Sequence, residues 1–227
     1  SAAALLNNKK CVLILGNSAL RKKGLEHAAR ISAATGCSLL SETFPAHMER
    51  GRGLPDIPRI PYAPDYAYQL LTAFDAIILA GAREPVAFFG YQGGRSRLVA
   101  DVEKVFSLCE NPMDAAPALE HLAAELDAPS FQYDPAGMAK MPPMPHGRLD
   151  AKKISQVLAA LQPEHAVIVD ESITSAAGYY TYTAASPRFS LLTLTGGAIG
   201  MGLPLSVGAA LASPDRPVID FQADGSA

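Results

Sequence analysis

Thr195-Gly196-Gly197-Ala198-Ile199-Gly200-Met201-Gly202-Leu203-Pro204 leads into an apolar, helix-like segment at 205–212. An apolar run at 217–221 follows, and it delivers Gln222-Ala223-Asp224-Gly225-Ser226-Ala227. A glycine-rich turn, a helix, a strand and then Asp-Gly-Ser is an order in which an α/β chain can build an anion and metal site. An aspartate at the C-terminal edge of a parallel strand offers oxygen to a hard cation such as Mg²⁺. Gly225 lets the backbone come close to a ligand. Ser226 offers a hydroxyl and a backbone N–H to a phosphate. A lone Asp-Gly-Ser is more often a surface turn, so the weight rests on the order of the parts.

Outward from this stretch, the chain alternates short apolar runs with helix-like segments. Residues 11–15, 38–40, 76–80, 104–109, 166–169, 191–195 and 218–221 read as strands, several of them as the continuous apolar runs of buried parallel strands. Residues 20–35, 65–74, 115–126 and 151–161 read as helices, the first closed by Gly36 and the last capped by Asp150. Asp65 is the expected cap of the second. Residues 1–10 read as the tail of a linker, and 44–63, rich in Gly, Pro and Arg, as a long loop. Strands alternating with helices predict a doubly wound parallel sheet. Pro129, Pro135, Pro142, Pro143 and Pro145 mark an extended linker. The expected organisation is therefore a Rossmann-like domain at 1–128, a proline-rich linker at 129–149 and a second, partial α/β domain at 150–227. In that second domain the segments after 169, 195 and 221 all leave strand C-terminal ends, where open α/β sheets bind ligands.

Composition narrows the function. Of 227 residues, 49% are hydrophobic and 18% charged, enough for a sizeable core. The net charge of −3 and the absence of Trp argue against nucleic acid as a partner. Cys11, Cys37 and Cys109 are odd in number and widely spaced, which fits the cytoplasm better than an oxidising compartment. Residues 190–214 carry no charge and are long enough to span a bilayer, but Gly196, Gly197, Gly200, Gly202, Pro204 and Gly208 interrupt them. Buried core with a functional loop is the expectation, not a membrane span. No signal peptide is visible in residues 1–8. The five histidines lack ligand spacing, no Gly-x-Gly-x-x-Gly follows the first strand, and no Walker sequence occurs.

Three segments in order carry a resemblance: Val169-Asp170-Glu171-Ser172-Ile173-Thr174-Ser175, then Gly197-Ala198-Ile199-Gly200-Met201-Gly202-Leu203-Pro204, then Ala223-Asp224-Gly225-Ser226. They resemble the thiamine-diphosphate-dependent enzymes, in the group that includes acetolactate synthase and benzoylformate decarboxylase. The family signature begins Gly-Asp-Gly, and Ala223 departs from it. The resemblance implies a middle domain followed by the first half of a diphosphate-binding domain, an internal piece of a longer protein. It further implies Mg²⁺ on Asp224 and diphosphate contacts from Thr174, Ser175, Gly225 and Ser226. The Gly197 carbonyl and Ile199 N–H would meet the aminopyrimidine, with the Ile199 side chain beneath the bent cofactor. The catalytic glutamate is expected from a domain outside this chain, so the chain alone is expected to be inactive. A 2-oxo acid substrate and a homo-oligomer, dimer or tetramer, are implied as well.

The loop Arg50-Gly51-Arg52-Gly53-Leu54-Pro55 and the segment at 80–89 look closest to acetolactate synthase homologues, whereas 171–175 looks closer to benzoylformate decarboxylase. Carboligase and decarboxylase therefore both stand. A Rossmann-like binding module without catalysis is the alternative from another class. FAD occupies the middle domain in true acetolactate synthases. Gly81-Ala82-Arg83 and Arg50 to Gly53 could touch a nucleotide phosphate, but a middle domain that binds nothing is preferred.

Overall fold

The structure is a computed structural model that describes residues 1–132, 140–175 and 178–227. Pro135 of the expected linker lies outside them. The strands are β1 (Cys11–Leu15), β2 (Ser38–Ser41), β3 (Met48–Arg50), β4 (Ala76–Ala80), β5 (Val105–Ser107), β6 (Ala166–Glu171), β7 (Phe189–Thr193) and β8 (Val218–Gln222). The helices are α1 (Ala2–Asn8), α2 (Lys22–Thr35), α3 (Pro64–Thr72), α4 (Ala115–Glu125), α5 (Ala151–Leu161), α6 (Tyr179–Tyr182) and α7 (Gly202–Ala212). They divide between two compact units, Ser1–Pro45 with Ile57–Gln132, and Ala46–Asp56 with Tyr133–Ala227.

The first unit holds an all-parallel sheet in the order β2-β1-β4-β5. Every residue of β1 and β4 is buried, as their unbroken apolar sequences demand. Val12, Ile14, Ile77 and Leu79 pack with Ala67 and Leu71 of α3 in one core cluster, and α2 packs on α4. Helix α2 ends at Gly36, which takes the left-handed conformation (φ 73°) and donates its N–H to the Ser32 carbonyl at 2.8 Å. Two expectations fail here. Residues 2–8 form a helix capped by the Ser1 hydroxyl, not a linker tail. Asp65 lies in the first turn of α3, because Pro64 takes the first helical position and leaves Ala63 as the cap.

The second unit holds a mixed sheet in the order β3-β7-β6-β8, with β7, β6 and β8 parallel and β3 antiparallel to β7. Strand β3 lies in the stretch read as a loop. It places Met48 opposite Leu191 and Arg50 opposite Phe189. Arg50 is buried. It donates to Asp56 Oδ1 at 2.9 Å and to the Tyr180 carbonyl at 2.7 Å, and its guanidinium carbon lies 3.4 Å from the Tyr180 ring centroid. Tyr179, fully buried, packs edge-on against Phe189 and Phe221 and donates its hydroxyl to Gln162 Oε1 at 2.6 Å. Burial pushes that phenol well above its ordinary range. The Asp150 side chain caps α5 by accepting from the Lys153 N–H at 2.8 Å, as its position before the helix predicts.

Candidate cofactor site

Strand β6 is the switch point of the second sheet: the chain passes from it to β7 on one side, then from β7 through α7 to β8 on the other. Ligands of open α/β sheets gather at the carboxyl end of such a strand. That end is Glu171, paired with Gln222 of β8. Three segments leave the same edge of the sheet, starting at 172, 194 and 223.

Glu171 ties the three together. Its carboxylate is fully buried and accepts from the backbone N–H groups of Gly200 and Gly202. Its main-chain carbonyl accepts from the Ala223 N–H at 3.2 Å. Next to it, Asp170 Oδ1 accepts from the Ser172 hydroxyl at 2.6 Å and the Ser172 N–H at 3.1 Å, which turns the chain sharply. Asp220 lies two residues back on β8, its carboxylate oxygens buried and without a hydrogen-bond partner. Burial and then the Glu171 charge push the Asp220 carboxyl above its ordinary range.

Thr174 is exposed and Ser175 half-buried, its N–H donating to the Ser172 carbonyl at 2.9 Å. In the second loop Gly196, Gly197 and Gly200 hold φ values of 67°, 71° and 87°, a succession only glycine adopts readily. The Gly197 N–H donates to the Leu194 carbonyl at 3.1 Å. Ile199 is 66% exposed, unusual for a side chain of its kind beside a buried strand end. In the third loop Asp224 and Gly225 are exposed, and the Ser226 hydroxyl accepts from Gln222 Nε2 at 2.8 Å. The structure thus brings the expected residues to one edge of one sheet. Glu171 stands in the first of the three segments quoted from the sequence, which did not reveal its bonds. The signal was a pair of acids ending an otherwise apolar parallel strand, with a glycine-rich loop downstream.

The donor chemistry suits half of a diphosphate and metal site. Exposed backbone at Gly225, hydroxyls at 174, 175 and 226 and the exposed Asp224 carboxylate follow the ends of β6 and β8, with open space where a Cβ at Gly196, Gly200 or Gly225 would stand. Among the described residues no group of three or more His, Cys, Asp or Glu side chains converges. Asp224 would therefore share a cation with oxygens of the cofactor and other ligands, as Mg²⁺ commonly does.

At the corresponding strand ends of the first unit, those of β1 and β4, the two backbones pack closely on each other. The Gly16 N–H donates to the Ala80 carbonyl at 3.0 Å, and Asn17 Nδ2 donates to the Gly81 carbonyl at 2.7 Å. A Cβ on Gly81 would lie 2.5 Å from the Gly16 oxygen. The Ser18 hydroxyl accepts from the Ala116 N–H at 3.1 Å and so closes the start of α4. Arg50, the first of the three arginines considered for a phosphate, is committed to Asp56 and Tyr180.

Comparison with known proteins agrees with this geometry. The chain is 45% identical over 226 residues, its whole length, to the acetolactate synthase large subunit-like protein IlvX of Mycobacterium tuberculosis. It belongs to the thiamine-diphosphate-dependent enzyme family. It is also 31% identical over 173 residues, 70% of its length, to benzoylformate decarboxylase of Pseudomonas aeruginosa. The fold matches the thiamine diphosphate-dependent 4-hydroxybenzoylformate decarboxylase of Rhodococcus jostii RHA1 with a TM-score of 0.72 at 24% identity, over 99% of this chain and 45% of that one. The chain spans less than half the length of these relatives, 43% of the IlvX protein and 32% of the Pseudomonas decarboxylase. No protein-family model matches it. No described helix is long and apolar enough to cross a membrane.

Proposed function

We propose that this chain supplies one half of a thiamine diphosphate site in a 2-oxo acid decarboxylating carboligase resembling acetolactate synthase. The observation that carries the reading is the meeting of the 172–175, 196–202 and 223–226 loops at the end of the switch strand β6, within a chain 45% identical throughout to the IlvX protein. When bound, the cofactor supplies the electron sink for loss of CO₂ from the 2-oxo acid. Asp224 would hold Mg²⁺ on the diphosphate, while Thr174, Ser175, Gly225 and Ser226 would hydrogen-bond its oxygens. Gly197 and Ile199 would present a carbonyl and an N–H to the aminopyrimidine, and the Ile199 side chain would support the rings.

The proton-transferring glutamate is expected from another domain of the complete protein, so this chain alone is inactive in this reading. A homo-oligomer, a cytoplasmic location and a middle domain without FAD complete it. The last of these is supported by the close backbone packing of Gly16 on Gly81 at the ends of β1 and β4. A decarboxylase resembling benzoylformate decarboxylase is the second reading, favoured by the 31% identity to that enzyme. Assay of the complete protein for acetolactate from pyruvate and for benzaldehyde from benzoylformate separates the two. The test of the site is Asp224→Ala in the complete protein, followed by calorimetric titration of thiamine diphosphate with Mg²⁺. Losing a charged metal ligand should weaken binding about a hundredfold. Unchanged affinity would leave the non-catalytic binding module standing instead.

A further inference from the structure

Glu171 faces the loop that carries Ile199. Its two carboxylate oxygens take the N–H groups of Gly200 and Gly202, which flank Met201 at the start of α7. Gly200 follows Ile199 directly and holds φ 87°, so the clamp fixes the backbone at the point where Ile199 is thrown outward. A Cβ at position 202 would lie 2.8 Å from Glu171 Oε2 and 2.0 Å from Gln222 Oε1, so glycine there is what allows the carboxylate to reach both donors. Gly202 belongs to the first turn of α7, whose N–H groups have no partner within the helix. An internal carboxylate therefore already occupies the positive end of α7, and a bound anion has no place there.

We propose that Glu171 is a positioning residue, whose carboxylate sets the 198–202 loop so that Ile199 meets the ring end of thiamine diphosphate, while the diphosphate end depends on other residues. The role assigned to Ile199 rests on the cofactor reading above. Glutamine at 171 keeps one acceptor oxygen but turns an NH₂ group toward a backbone N–H, which breaks half of the clamp.

The test uses the complete protein with Mg²⁺ and three variants: Glu171→Gln, Gly202→Ala, and Gly208→Ala as a control, since nothing lies within 4 Å of a Cβ there. Thiamine diphosphate and inorganic pyrophosphate are titrated separately, and backbone amide exchange is followed across 198–202. In Glu171→Gln and Gly202→Ala, thiamine diphosphate should bind about tenfold more weakly and the loop amides should exchange about tenfold faster. Pyrophosphate affinity should stay at the wild-type value, and Gly208→Ala should match wild type in every measurement. Unchanged thiamine diphosphate affinity would overturn the proposal, and so would equal weakening of both ligands, which marks a general loss of structure. Failure of the wild-type protein to bind either ligand would overturn the cofactor reading, and with it the role given to Ile199. The clamp itself would still be judged by exchange, since amides in Glu171→Gln that exchange at the wild-type rate remove it. If neither variant folds, wild-type Gly200 and Gly202 amides exchanging as fast as that of Gly196 would overturn it.

Discussion

Glu42 shows how one side chain carries a pH dependence. It follows β2 and accepts from the Arg83 N–H at 3.3 Å, yet desolvation outweighs that bond and raises its carboxyl above the ordinary range. An acid whose folded-state value is raised binds its proton more tightly when folded. Its stabilising contribution is complete below the unfolded value and is lost as pH climbs through the folded one. Glu42→Gln should therefore match the parent in acid and become the more stable of the two as pH rises toward neutral. Urea midpoints at pH 4 and pH 7 check this, and a gap that shrinks with rising pH would refute it. At this scale the sequence was readable where a residue answers to its neighbours in the chain. Asp150 as a cap and Gly36 as a helix end are local matters of backbone geometry. Glu171 was not readable in the same way. Its partners lie some thirty positions ahead, and only the fold shows that their N–H groups meet its oxygens.

Elements were legible in proportion to their burial. Strands β1, β4 and β6 are buried along their whole length, and hydrophobicity alone announces them. Strand β3 was hidden, because Met48-Glu49-Arg50 is short, carries two charges and sits among glycines and prolines. What makes it a strand is tertiary: an open edge on β7 and a pocket in which Arg50 meets Asp56 and Tyr180. Helix α7 presents the reverse case. Its uncharged sequence reads as core, yet Leu203, Val207 and Leu211 are 50%, 62% and 79% exposed. Helix α5 gives an element-scale expectation. Asp150→Ala removes the acceptor for the Lys153 N–H and should cost about 1 kcal/mol, seen as a lower midpoint in chemical denaturation. No change in midpoint would mean that water caps the helix equally well.

For the molecule as a whole, the second unit draws on two separate stretches of chain, Ala46–Asp56 and Tyr133–Ala227. A fragment of residues 129–227 would lack β3. The edge of β7 would then be unpaired, Met48 would be missing from the core, and Tyr180 would lose the Met48 sulfur its hydroxyl meets at 3.2 Å. Exposed strand edges favour association over folding. That fragment should show no cooperative thermal transition by circular dichroism, whereas the 227-residue chain should. A sharp transition in the fragment would mean that β3 is dispensable.

The pairing of Met48 with Leu191 also sets a timetable during synthesis. The ribosome releases the pieces of the first sheet early, and they can close on one another while translation continues. Met48-Glu49-Arg50 must wait until the residues around Leu191 have emerged before it finds its mate. At about 5–20 residues per second that interval lasts roughly seven to thirty seconds. For that long a buried arginine and a core methionine stand in water, where a chaperone or a second nascent chain can reach them.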